Sequence, residues 1–167
     1  MVFLFVYAFA ANVALAVVPH EPIVVWYGAR AGAWLTAAVA TAGTVAASCV
    51  DHRVFVPVLT RAAAERPFST GLLGTLHRWF GRAPFAIIAL SGITPLPFWP
   101  FKALAFARGY PLSRYLAAVA SGRFPRYLLL AWLGIAVDIP AWVLAAAFLV
   151  LILPTLRMIP WQRQNAK

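Results

Sequence analysis

Residues 91–110, SGITPLPFWPFKALAFARGY, decide how the chain is read. Pro95, Pro97 and Pro100 fall within six positions, between the apolar flanks Pro84–Leu90 and Phe101–Phe106. Each proline lacks a backbone donor, fixes φ and turns the preceding residue away from helix. A plain spanning helix rarely carries three so close together. Broken backbone at membrane depth survives only where protein or a water-filled cavity surrounds it. The stretch therefore predicts a re-entrant hairpin with an apolar arm in, a Pro-rich tip and an apolar arm out. The alternative is a surface loop between two ordinary spans.

The rest of the chain supplies the solvent for that hairpin. Of 167 residues, 63% are hydrophobic and 11% charged, and the mean hydropathy is +0.84. A soluble domain of this size has too little core to hide so much apolar surface, which points to one integral membrane domain over residues 1–167. Fourteen basic residues face four acidic ones, a net charge of +10. The cations cluster between apolar segments, which fits cytoplasmic loops and anionic headgroups rather than nucleic acid. A single cysteine, Cys49, excludes an internal disulfide and a thiolate metal site, and reads as a small core residue.

Upstream, Met1–Val18 is uncharged and reads as a retained first span rather than a signal peptide, since a basic n-region is missing. It ends at Pro19-His20-Glu21-Pro22. Glu21 is either at headgroup level or a buried carboxylate at a second re-entrant tip. Gly28–Val50 is rich in small residues, with a Gly28/Gly32 pair that favours close helix approach. Asp51-His52-Arg53 closes it, either as a local ion pair or as a carboxylate beside a titratable neighbour.

Residues 53–83 carry most of the first half's arginines and predict the cytoplasmic connection. Within it Leu72, Leu73, Leu76, Trp79 and Phe80 recur at helical spacing, as in a helix lying in the interface. Downstream, Arg108, Arg114, Arg123 and Arg126 bracket Tyr115–Ala120. A C-terminal span and a basic, aromatic tail occupy 139–167, placing both termini on the cytoplasmic side. Pro-interrupted segments followed by small-residue helices thus occur once in each half, Pro19–Val50 and Pro95–Ala136, the pattern of an inverted repeat with a shared midplane site. The expected fold class is all-α integral membrane: two inverted re-entrant hairpins facing each other, about four to five membrane helices and one interfacial amphipathic helix.

At these residues the chain resembles the DedA/VTT superfamily, also called the SNARE-associated Golgi protein family, over about residues 18–134. The sharpest part is GITPLPFWPFKALAFARGYPLSRYLAAVASGRFPRYLLLAWLG, Gly92–Gly134. It is similar to the family's second half: a Pro-containing re-entrant loop, a glycine turn, then a helix with a small-residue/Arg/Pro step. Pro19-His20-Glu21 resembles the family's Pro-Gly-Asp/Glu loop, with His20 in place of the glycine, and Ser48–Phe55 resembles its small-residue helix ending in Gly-Asp/Asn. The resemblance implies lipid translocation, a flippase or scramblase for phospholipid or undecaprenyl phosphate, with proton coupling in several bacterial members. The Ala- and Arg-rich usage of the chain points to a bacterial source, and with it to an inner-membrane location. Members carrying Arg-Phe-x-Pro-x-x-Arg use both arginines; here Gly92 and Phe98 stand in their places. Lys102, Arg123 and Arg126 are the cations left to meet a headgroup.

The transport residues expected are therefore Glu21, Asp51, Pro95, Pro97, Lys102, Arg123 and Arg126. For Arg123 and Arg126 the competing reading is positive-inside anchoring, and for Lys102 snorkelling to the interface. Expected partners are lipids with an anionic headgroup or a polyprenyl phosphate, protons, and a second copy of the chain. An enzyme is not expected: His20, His52 and His77 lie in separate contexts, and neither His-x-x-x-His nor Asp-x-x-Asp occurs. No metal or cofactor is expected. A non-transporting scaffold or assembly factor and a small-solute secondary transporter are the alternative functions.

Overall fold

The computed structural model describes residues 1–13, 19–65, 80–94, 98–137 and 139–158. Pro95, Pro97 and most of the expected interfacial helix lie outside the described residues. Among those described, the chain is all-helical: α1 Val2–Asn12, α2 Glu21–Ala31, α3 Ala33–Glu65, α4 Pro84–Ile93, α5 Trp99–Ala107, α6 Leu112–Ala136 and α7 Ala141–Met158. The segment 33–57 of α3 is long and apolar enough to cross a membrane, with mean hydropathy 1.5. Two shorter apolar helices, α1 and α4, precede the two breaks.

The same element order occurs twice. A short helix, a break, a second short helix, a glycine turn and a long helix run from α1 to α3 and again from α4 to α6. Prolines sit in the first turn of α2, α4 and α5, where the missing N–H costs nothing. Glu21 opens α2, on the positive end of its dipole. Each second short helix ends at a left-handed glycine, Gly32 with φ 84° and Gly109 with φ 60°. At the latter, the Tyr110 N–H closes back on the Ala105 carbonyl at 2.9 Å, a helix stop that only glycine makes without strain.

One feature differs from the sequence reading. The helix after the first glycine turn does not stop at Asp51 but continues through Pro57 to Glu65, so about two-fifths of the expected connection is helical extension of α3. Residues 112–136, whose apolar runs are interrupted by Arg123 and Arg126, form one helix through Pro125.

The halves interlock. The first short helix of each half packs on its own long helix, α1 on α3 and α4 on α6. The second crosses over: α2 packs chiefly on α6, and α5 on α3. Glycines permit the α2–α6 approach, because a Cβ on Gly28 would strike the Ala131 backbone and one on Gly134 the Val25 backbone. The Gly28/Gly32 pair thus divides its work between a helix contact and a turn.

The two long helices also pack on each other and carry two apolar cores. One holds Ala33, Ala37 and Ala40 of α3 with Tyr127 and Ala131 of α6. The other holds Tyr115, Ala118 and Val119 of α6 with Phe98, Leu104 and Phe106, and Phe55 and Val56 of α3 pack against it. Between the cores both helices turn polar inward: Thr44, Ser48 and Asp51 on α3, and Arg123 on α6, are buried. The outside is the reverse. Val2 (79% exposed), Trp142 (72%) and Leu129 (68%) stand on the surface with many other large apolar side chains. So many large apolar side chains on the surface, around a core with a buried polar waist, depart from the usual arrangement of a water-soluble fold.

Candidate functional site

The polar waist between the cores is the candidate site, and five ionisable side chains meet there from four helices. Asp51 on α3 is buried and pairs with the Lys102 ammonium from α5, which also donates to the Asn12 carbonyl at 3.3 Å. The crossover of α5 onto α3 brings this pair together, so Asp51 is not the partner of its neighbour Arg53. His52 faces elsewhere and donates through Nε2 to the Tyr110 carbonyl at 2.8 Å, holding the second glycine turn against α3.

The second ion pair is the mirror case. Glu21, at the start of α2, accepts from the Arg126 guanidinium at 2.8 Å, across 105 positions of sequence. The other arm of that guanidinium donates to the Thr94 carbonyl at 2.7 Å. Glu21 also caps the His20 N–H through its second oxygen at 3.0 Å. Each ion pair therefore joins a second short helix of one half to the long helix of the other, and the charges are exchanged: acid on α2 and base on α6, base on α5 and acid on α3.

Arg123 lies one turn before Arg126 and is only 4% exposed. Its guanidinium carbon sits 5.0 Å from the centre of the Phe98 ring, within cation–π range. Neither ion pair includes it, and its Nε is buried without a hydrogen-bond partner. Gly92 packs against the backbone of Gly122 and Arg123, where an added Cβ would approach to 3.2 Å. Positions 92 and 98, where the family resemblance anticipated arginines, thus converge on a third arginine from α6.

Two residues outside the expected transport set, His20 and Tyr127, organise the waist. His20 is buried, and its Nε2 lies 2.6 Å from the Tyr127 hydroxyl. Tyr127 in turn lies 2.9 Å from Thr44 Oγ1, which donates to the Ala40 carbonyl at 3.0 Å. When the single Thr44 proton is given to the Ala40 carbonyl, Tyr127 donates to Thr44 and His20 Nε2–H donates to Tyr127. The signal available in sequence was the spacing of Arg123 and Tyr127, four apart on one helix face.

Beside Glu21, an apolar groove of about 650 Å³ opens between α1, α2 and α7, lined by Phe3, Tyr7, Ile23, Trp26, Leu144 and Phe148. The Tyr7 hydroxyl on its wall is already committed to the Pro19 carbonyl at 3.1 Å. Among the described residues, no cluster of metal-ligating side chains occurs. The arrangement sets the two carboxylates Glu21 and Asp51 among three cations, with one ion pair at each carboxylate. No protein-family model, curated protein or solved structure matches the chain.

Proposed function

We propose that the protein is an integral membrane lipid translocase, a flippase or scramblase of the kind its resemblance to the DedA/VTT superfamily implies. The observation that carries this reading is a polar waist in which Asp51, Lys102 and Arg123 are buried and Glu21 and Arg126 half-buried, inside a bundle with many large apolar side chains on its surface. Ionisable groups in a lipid-embedded interior are costly and mark pathways for polar cargo. The short helices support the re-entrant placement. With 9 to 11 residues each, α1, α2, α4 and α5 reach about half of a ~30 Å hydrocarbon layer. The helix ends at Asn12 and Glu21, and those at Ile93 and Trp99, then meet from opposite sides near the midplane, as in transporters with inverted repeats.

In this mechanism the headgroup passes along the α3–α6 waist while an acyl or prenyl chain stays in the apolar groove beside α2. Opening of the Glu21–Arg126 pair frees a guanidinium for the headgroup, and its closure releases the cargo. Glu21 is the carboxylate through which a proton gradient would act.

The test is lipid flip in proteoliposomes containing fluorescent phospholipid or a polyprenyl phosphate, with and without a pH gradient. Protein-dependent flip that falls in Glu21→Gln is the expected result. Flip insensitive to Glu21→Gln and to the gradient would leave a passive scramblase without an ion-pair cycle. Absence of flip for every lipid would sink the translocase reading.

A further inference from the structure

We propose that the Asp51 carboxylate and the carbonyl end of α1 form a binding site for a compact monovalent cation, and that the Lys102 ammonium is its tethered occupant. Asp51 on α3 is 1% exposed and accepts from Lys102 Nζ. Asn12 closes α1, and its carbonyl accepts from the same nitrogen at 3.3 Å. Asn12 is itself buried, and its side-chain amide donates to the Ala8 carbonyl at 2.7 Å, which fixes the residue on the helix end.

That helix end calls for a cation. The last carbonyls of a helix lack intrahelical partners and carry the negative end of its dipole. α1 has no basic residue in its own last turn, so Lys102 supplies the charge from α5. The other break repeats the pattern, with Arg126 bridging the Glu21 carboxylate and the carbonyl of Thr94, the cap of α4. Each short helix that precedes a break thus ends on a cation that a carboxylate also holds. Interrupted helices of transporters coordinate sodium or protons with such helix-end carbonyls.

The two occupants differ in kind. Arg126 presents a planar fork, which no simple ion reproduces. Lysine ends in a compact point charge with the donor chemistry of an ammonium ion. Lys102 is only 5% exposed, so its ammonium does not snorkel to the interface. The chain therefore carries covalently the cation that such sites otherwise draw from solution. Truncating Lys102 at Cβ vacates the position and leaves Asp51 to a diffusible ion.

The experiment follows thermal unfolding of the full chain in dodecyl maltoside, in chloride salts of N-methylglucamine, sodium and ammonium at equal ionic strength. Lys102→Ala lowers the midpoint in N-methylglucamine, an ion too bulky for the site. Sodium or ammonium at about 100 mM then raises that midpoint by about 3–6 °C, the shift from a site half-filled at about 10 mM. The native protein, with its site filled, unfolds at one midpoint in all three salts. A Lys102→Ala midpoint that is the same in all three salts overturns the proposal. So does an equal ion-specific shift in the native protein, or one that persists when Asp51→Asn is combined with Lys102→Ala. Should Lys102→Ala not fold, Lys102→Ser is measured in its place, and failure of both to fold in every salt is equally fatal. The readout involves no lipid. A protein with this cation response that flips no lipid keeps the site and loses the translocase, and lipid flip without the response does the opposite.

Discussion

Glu21 and Arg126 stand 105 positions apart in the chain and 2.8 Å apart in space. The contact ties the first short helix after a break to the long helix of the opposite half. Lys102 and Asp51 make the reciprocal tie with the charges reversed. The two pairs differ in depth. The Lys102 and Asp51 side chains are almost fully buried, while Arg126 and Glu21 keep a fifth to a quarter of their surface open. One-sided loss of a partner is therefore costlier in the first pair than in the second.

Breaking the deeper pair from one side strands a buried charge. Asp51→Asn should destabilise the protein by about 3–5 kcal/mol, read as a lower midpoint of thermal unfolding in detergent. Replacing both partners together, Asp51→Leu with Lys102→Met, should recover most of that loss, since two buried charges are exchanged for apolar packing. A double variant as unstable as the single one would show that the pair does more than neutralise itself.

The shallower pair should cost less. A double-mutant cycle of Glu21→Gln and Arg126→Gln should give a coupling energy of about 1–2 kcal/mol, above an exposed salt bridge and below a buried one. Additive single effects would mean that the contact does not persist in solution.

Close approach of α2 and α6 leaves no room at Gly134. Gly134→Val drives side-chain atoms into the Val25 backbone and should cost about 3 kcal/mol or more, visible as lost monodispersity on size exclusion. Ile135→Ala, on the exposed side of the same helix, should stay within ~0.5 kcal/mol of the native protein.

Tyr127→Phe deletes the central link of the chain from His20 to Ala40. Two buried groups, His20 Nε2 and Thr44 Oγ1, then lose their shared partner, at about 1–3 kcal/mol. Thermal unfolding measures the loss, and an unchanged midpoint would mean that the groups find other partners.

Much of the fold was legible. Proline clusters at 19–22 and 95–100 mark the breaks, and composition marks the apolar exterior, because both act locally along the chain. The doubled element order was visible as pattern alone. The pairing across halves was not, since Asp51 reads equally well with Arg53 beside it as with Lys102, which only the crossover of α5 delivers. Arg123 and Arg126 look like interfacial anchors because arginine near an apolar run usually is one. Their burial depends on Gly122, whose missing side chain lets the α4 backbone at Ala89 close over that face of α6. A glycine reports that neighbour only once the neighbour is in place.

Placement of the second break has its own check. In a Cys49→Ala background, Thr94→Cys should react slowly with a membrane-impermeant maleimide, because Thr94 is half-buried and its carbonyl is held by Arg126. Labelling as fast as that of an unfolded chain would place residues 94–98 in an aqueous loop and remove the re-entrant tip.

The crossed packing of the halves also sets an order of events during synthesis. Glu21 leaves the ribosome 105 residues ahead of its partner and Asp51 leaves 51 residues ahead of its own. At about 5–20 residues per second, the first carboxylate waits roughly 5–20 s for its counter-ion. The N-terminal half is thus a biosynthetic intermediate with two uncompensated acids. Water or a proton must compensate them until Lys102 and Arg126 emerge, and a translation pause between positions 51 and 126 lengthens that exposure.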